Sequence, residues 1–410
     1  MDHVQFGNLP APKYYESSIS FRSGQIFFGK VIHLDGNGFA KVQFGNQLIT
    51  AKVDAPLDVS KDYWFRVKRQ NEGIRLMISH EKEGDFFGVS TSKEAKLFLS
   101  ALKDWKVPID QSKFTIGEKW LKETGDAKRT LEAIRLMIEG KLPFTDHMFK
   151  TIFATIKREP FSVLFDRLMK ELSNSSVEKK EEISHHLQTL SGRKIHGETP
   201  LVETNWGKGH DVYRAIRFLL KEIGIDSRMS TPSEENVVPP SLKDLLSQQL
   251  QKGEHLPKQV LKAFEALYYR ILGGQLSNKD QNPYMILTFS IPVPLKEKMI
   301  DATFQWEGKR GKDGELDKHF SRILFDLNMP RLGKTFIHMN VQNRIISLQV
   351  KTEQIINKTS IQSYVQMLKE NIEKIGYSLS TIKFERLEQN QSRREVPLSY
   401  FHSGKVDVKI

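Results

Sequence analysis

The chain has 410 residues, 39% of them hydrophobic and 27% charged, and its 62 Lys and Arg against 50 Asp and Glu give a formal net charge of +12. A chain of this length holds about two to four domains, and its composition is that of an ordinary globular protein. The lack of any cysteine excludes disulfides and thiol chemistry, and no run approaches the roughly 18–20 apolar residues of a membrane span.

The opening residues, Met1 to Gly7, have no basic stretch ahead of an apolar one, so no secretory signal is expected. These features predict a cytoplasmic protein without membrane insertion, with export by a signal-less route left open. The basic excess is diffuse. Residues 1–87 carry 11 Lys and Arg against 10 Asp and Glu, and residues 284–410 carry 20 against 14. A spread of this kind reads as a solvated surface.

In chain order, residues 1–20 contain Pro and Ser and read as mobile. Strand-like runs follow at Gln25–Leu34, Phe39–Phe44, Gln47–Val53, Tyr63–Arg69 and Ile74–Ser79, separated by Gly, Asn and Pro turns. Five short strands at this spacing predict a small barrel of the size of an oligonucleotide-binding fold. Tyr63, Trp64 and Phe65 stand beside Arg66, Lys68 and Arg69. Exposed aromatics among basic residues would stack on nucleic-acid bases. Adjacent strand residues point to opposite faces, however, so at least one of the three must face the core.

Residues 90–224 read as helical. Thr91-Ser92 offers a cap for a helix carrying Ala95, Phe98, Leu102 and Trp105, and further helices are predicted near 113–123, 127–140, 145–157, 160–173, 177–190 and 211–223. Pro108, Pro143 and Pro257 recur between helices, as expected for a residue pre-set for a helix start. Residues 225–240 read as a linker. Two helices, near 241–251 and 257–273, then form a hairpin ended by Gly273-Gly274.

The C-terminal part alternates in strand fashion over Tyr284–Val293, Ile300–Glu307, Leu324–Asn328, Lys334–Val341 and Arg344–Thr352. The last two are joined by a short polar turn at Asn343, the signature of an antiparallel hairpin. Thr359-Ser360 offers an N-cap. Ile361, Val365, Leu368, Ile372 and Ile375 fall on one helical face, Gly376 suits a left-handed C-terminal residue, and Leu379–Glu385 closes as a strand. The residues from about Gln389 are polar and read as a loose tail.

The predicted fold is therefore multidomain α+β, with a small N-terminal β-barrel, a helical middle and a small C-terminal sheet with one packed helix. The domains are 1–87 (OB-like barrel with a mobile N-terminus), 88–224 (helical), 225–240 (linker), 241–283 (helical hairpin), 284–388 (α/β) and 389–410 (tail).

Catalytic motifs are missing. Gly333-Lys334-Thr335 invites a phosphate-loop reading, but Asn328 stands where the loop needs its first Gly, and a strand follows where it needs a helix. His185 and His186 are adjacent, about 100° apart on a helix, so they read as surface residues rather than an i, i+4 metal pair. His80-Glu81 does not continue to a second His at zinc-protease spacing, and no Gly-x-Ser-x-Gly elbow occurs. A non-enzymatic protein without metal or cofactor is expected.

The order of strand, Asn328-Met-Pro-Arg-Leu-Gly333, strand, turn, strand, amphipathic helix and final strand resembles the C-terminal domain of flagellar hook-length control proteins, over about residues 284–387. The matching positions are Leu327, Pro330, Leu332 and Gly333, with Phe336 and Ile337 opening the next strand. The resemblance implies a binding role in the type III secretion apparatus of the bacterial flagellum. The C-terminal domain would contact the cytoplasmic domain of an export switch protein, or a free-standing homologue of it, and so change which substrates are exported. Loops on a rigid sheet tend to carry function, so the expected contact surface is Leu327, Pro330, Arg331, Leu332, Gly333 and Lys334. The runner-up readings are a nucleic-acid-associated protein using the barrel and a structural helical adaptor.

Overall fold

The computed structural model describes residues 21–35, 37–45, 47–53, 55–70, 73–78, 92–192, 209–225, 239–253, 256–276, 279–281, 284–295, 298–310, 316–356 and 358–387. The N-terminus expected to be mobile, nearly all of the expected linker, His80-Glu81, Thr91 and the expected tail lie outside them. The chain divides into two compact units, Met1–Ile138 and Glu139–Ile410, so the expected helical stretch is shared between them.

In the first unit, β1 (Ile26–Leu34), β2 (Phe39–Phe44), β3 (Gln47–Val53), β4 (Asp62–Gln70) and β5 (Gly73–Ile78) close into a barrel in the order β1-β2-β3-β5-β4. Period-two burial drives it, as in β2, where Ala40, Val42 and Phe44 point in and Phe39, Lys41 and Gln43 point out. Phe21, Phe27, Phe44 and Phe65 fill the interior, with Phe27 at 4.9–5.4 Å from the other three rings. A parallel pairing of β3 with β5, Lys52 to Arg75 and Val53 to Leu76, closes the barrel. Three helices follow in this unit: α1 (Lys93–Trp105), α2 (Gln111–Thr124) and α3 (Ala127–Glu139). Ser92 caps α1 through the Ala95 N–H, and the hydroxyl of Ser92 donates to the buried carboxylate of Glu118 at 2.6 Å.

The second unit opens with α4 (Asp146–Lys157), α5 (Phe161–Ser173), α6 (Lys180–Leu190), α7 (Gly209–Ile223), α8 (Leu242–Gln251) and α9 (Lys258–Gly273). The prolines act just ahead of helices rather than inside their first turns. Pro160 and Pro257 are themselves N-caps, and Pro108 and Pro143 stand two residues before the caps Asp110 and Thr145. The surface reading of the histidine pair fails for His186, which is buried with Nδ1 2.7 Å from Glu222 of α7. A buried imidazole needs a hydrogen-bond partner, which Glu222 supplies, and adjacency in sequence gave no hint of that partner.

The C-terminal sheet has seven strands in the order β12-β11-β10-β9-β8-β7-β6. They are β6 (Lys279–Gln281), β7 (Tyr284–Leu295), β8 (Lys298–Arg310), β9 (Leu316–Met329), β10 (Gly333–Gln342), β11 (Ile345–Thr352) and β12 (Ser378–Arg386). The short run expected at Leu324–Asn328 is the end of the 14-residue β9; polar Asp317 and Arg322 hid the rest. All pairings are antiparallel except β11 with β12, which α10 (Lys358–Lys374) joins as a crossover.

Two groups of helices cover this sheet. Ile291, Val293, Ile300 and Ala302 join the core of α5 to α9. Val341, Ile346 and Leu348 pack with Leu368 and Ile372 of α10. Every residue from Ser290 to Pro294 is buried, so both faces of β7 are covered there. Helix α10 departs from expectation at both ends. It begins at Lys358, so the Thr359-Ser360 cap falls within its first turn; several good capping residues in a row left the start ambiguous. Ile375, assigned to the apolar face, is 68% exposed, because the helix has already ended. Gly376 does take the left-handed conformation, φ +81°, and Tyr377 N–H closes back on Ile372 O at 3.1 Å.

Candidate functional site

The turn between β9 and β10 brings Pro330, Arg331, Leu332 and Gly333 together at one corner of the sheet. Pro330 and Arg331 are exposed and Leu332 is half-buried. The segment after β11 lies beside this turn, with Gln354 N–H donating to Leu332 O at 3.2 Å and Glu353 N–H donating to Lys334 O at 3.1 Å. Glu353 also accepts the Lys334 N–H at 2.9 Å. Next to it Ile355 stands 77% exposed, the most exposed large apolar residue described. The corner is thus a pinned turn with an apolar residue and a cation at its surface.

Gly333 sits at φ +68°, and a side chain there would run into Glu353, whose Cβ lies 3.1 Å from the added carbon. Gly333→Ala should cost about 2 kcal/mol, the sum of a left-handed alanine and the lost Glu353 bond. Urea unfolding of the full chain reads this cost directly.

Two of the six expected contact residues do not belong to the exposed turn. Leu327 faces the helical core, because it sits on the same side of the sheet as Ala302 and Thr335. Lys334 points to the opposite face, its Nζ 5.0 Å over the Phe336 ring. There it lines a cleft of about 480 Å³ with Glu353, Asn328, Asp326, Asp301, Arg158 and Arg270.

This cleft was not legible in the sequence, since its charges come from elements far apart in the chain. Arg270 of α9 is 7% exposed. It reaches Asp301 Oδ2 at 3.2 Å and Glu159 O at 3.3 Å, with its guanidinium 4.6 Å over the Phe161 ring. The other oxygen of Asp301 accepts the Phe161 N–H at 3.1 Å, satisfying an orphan donor of the α5 N-terminus. Arg158, the left-handed C-cap of α4, donates to Asp326 at 2.9 Å. Burial pushes the Asp301 carboxyl above its ordinary range, against the pull of Arg270 and the Phe161 N–H. With Thr155, Ser162, Ser290 and Thr303 completing the walls, the cleft is a charge-balanced seam that fixes helices to sheet. Among the described residues no group of three or more His, Cys, Asp or Glu could hold a metal.

In the barrel, the aromatics considered for base stacking are not displayed. Phe65 is fully buried in the interior with Tyr63 packed against that core. Trp64, on the outer face, is 6% exposed with its ring 5.2 Å from Phe28. Lys103 of α1 lies 4.8 Å over that same Phe28 ring. Lys68 and Arg69 are exposed.

The structure is that of a multidomain α+β protein with a closed five-stranded barrel, a helical middle and a C-terminal sheet bearing one helix. No described helix is long and apolar enough to cross a membrane. The chain is 26% identical over 163 residues to the uncharacterized protein YlqG of Bacillus subtilis (strain 168), a match covering 39% of this chain and 28% of that relative. No family model and no solved structure matches the chain.

Proposed function

We propose that this is a non-enzymatic binding protein of the hook-length control type. Its C-terminal sheet would offer the Pro330–Leu332 corner to the cytoplasmic domain of a type III export switch protein and so set export specificity. The observation that carries the reading is the 77% exposure of Ile355 beside that pinned, solvent-facing turn. An apolar residue held in the open on a rigid corner is a natural anchor for a partner's pocket. The order β9, turn, β10, β11, α10, β12 also keeps the arrangement on which the resemblance rests.

The test is calorimetric titration of the full chain with the soluble switch domain from the same cell, at two salt concentrations. Binding at micromolar affinity or tighter is expected. The double variant Arg331→Glu, Ile355→Asp should weaken it at least about tenfold with an unchanged circular-dichroism spectrum. Absence of binding by the full chain would remove the switch protein as partner. Undiminished binding by the variant would move the contact elsewhere.

A further inference from the structure

The outer edge of the C-terminal sheet is a strand with a groove along it. Among the described residues β12 pairs with β11 alone. A groove of about 650 Å³ runs beside it, lined by Ile361, Val365, Ile382 and Phe384, with Gln362 and Gln366 on the helix side and Lys383 and Glu385 at the strand. Just past the strand, Leu387 N–H donates inward to Thr352 O at 2.8 Å. Main-chain groups alternate sides along a strand, so those of Ile382, Phe384 and Arg386 point away from the sheet. An open ladder beside an apolar groove is the arrangement that accepts an added strand.

We propose that the strand added there is β12 of a second copy of this chain, antiparallel and centred on Phe384. Charge selects both the occupant and the register. A two-fold at Phe384 sets Lys383 opposite the partner's Glu385 and Glu385 opposite the partner's Lys383. Opposite charges facing across a ladder are favourable, and like charges in the same place are not. A two-fold one residue earlier would set Lys383 against itself, and one residue later Glu385 against itself. The same register makes the two Phe384 residues a directly opposed pair whose main chains exchange both hydrogen bonds. It places both rings on the groove side, where Ile361 and Val365 of each copy await apolar cover. Arg386 falls opposite Ile382, over which its methylene stem can lie. The interface is isologous and closes at two copies, joining two seven-stranded sheets into one.

The experiment is sedimentation equilibrium of the full chain over a range of concentrations. A reversible dimer is expected. Lys383→Glu should raise its dissociation constant about tenfold or more, since two attractive pairs become repulsive. The swap Lys383→Glu with Glu385→Lys should restore it. The native chain has no cysteine, which allows an independent check. Opposed hydrogen-bonded residues lie about 5.5 Å apart at Cα, within disulfide reach. Phe384→Cys should therefore form a covalent dimer with oxidised glutathione faster than Thr381→Cys, which the register places off the axis. A monomer at all concentrations, a dimer indifferent to the charge swap, or equal cross-linking at positions 381 and 384 would each overturn the proposal.

Discussion

Arg270→Ala should destabilise the Glu139–Ile410 unit by about 3–5 kcal/mol, because it leaves the Asp301 carboxylate buried without its cation. For a unit of this size that lowers the melting temperature by about 10 °C, measurable by calorimetry of the full chain, with the barrel's transition unmoved. The energetics come from desolvation rather than from the strength of the pair. Arg270 is almost wholly enclosed, and an exposed ion pair of the same geometry would contribute little. Replacing both partners, Arg270→Met with Asp301→Leu, should recover most of the loss. It should not recover all of it, because Asp301 also accepts the Phe161 N–H, and that donor would be left unmet at a cost of about 1 kcal/mol. Full recovery in the double variant would show that the helix-end bond carries no weight.

Phe27→Ala should be as damaging in the other unit, again about 3–5 kcal/mol. Phe27 is fully buried and its ring touches those of Phe21, Phe44 and Phe65. A barrel of five short strands has one small interior and little freedom to collapse around a hole of that size. Amide hydrogen exchange of the barrel strands in increasing denaturant would read the change. Phe39→Ala, on the outer face and 42% exposed, serves as the control and should shift stability by less than about 0.5 kcal/mol. Comparable losses from the two would mean that the interior is not the organising core of the barrel.

Why the fold could be read from the sequence, and the cleft could not, follows from the range of the forces involved. Period-two alternation at Phe39–Phe44 and Gln47–Val53, and the capping Ser92 before Ala95 and Phe98, are local signals that survive tertiary packing. The turn at Pro330–Gly333 was legible for the same reason, since Gly333 marks its own backbone conformation. By contrast, Arg270 and Asp301 are meaningful only once α9 and β8 have met, and Arg158 with Asp326 only once α4 has met β9. Strand β9 was half-missed because its polar first half gave the alternation no apolar face. Leu327 entered the expected contact surface as part of the strand flanking the turn, and only the β8 register reveals that it faces the helices.

The one parallel pairing of the large sheet also bears on how the sheet is made. Strands β6 to β11 form a meander in which each strand pairs with its sequence neighbour, so each can zip onto the last with only a short loop to close. Strand β12 is joined to its neighbour β11 through the whole of α10. It therefore closes the longest loop among the sheet's pairings. Closing a long loop costs entropy before the pairing rewards it. Placing β12 therefore carries the largest loop-closure cost in the sheet, and α10 is the element that spans that loop.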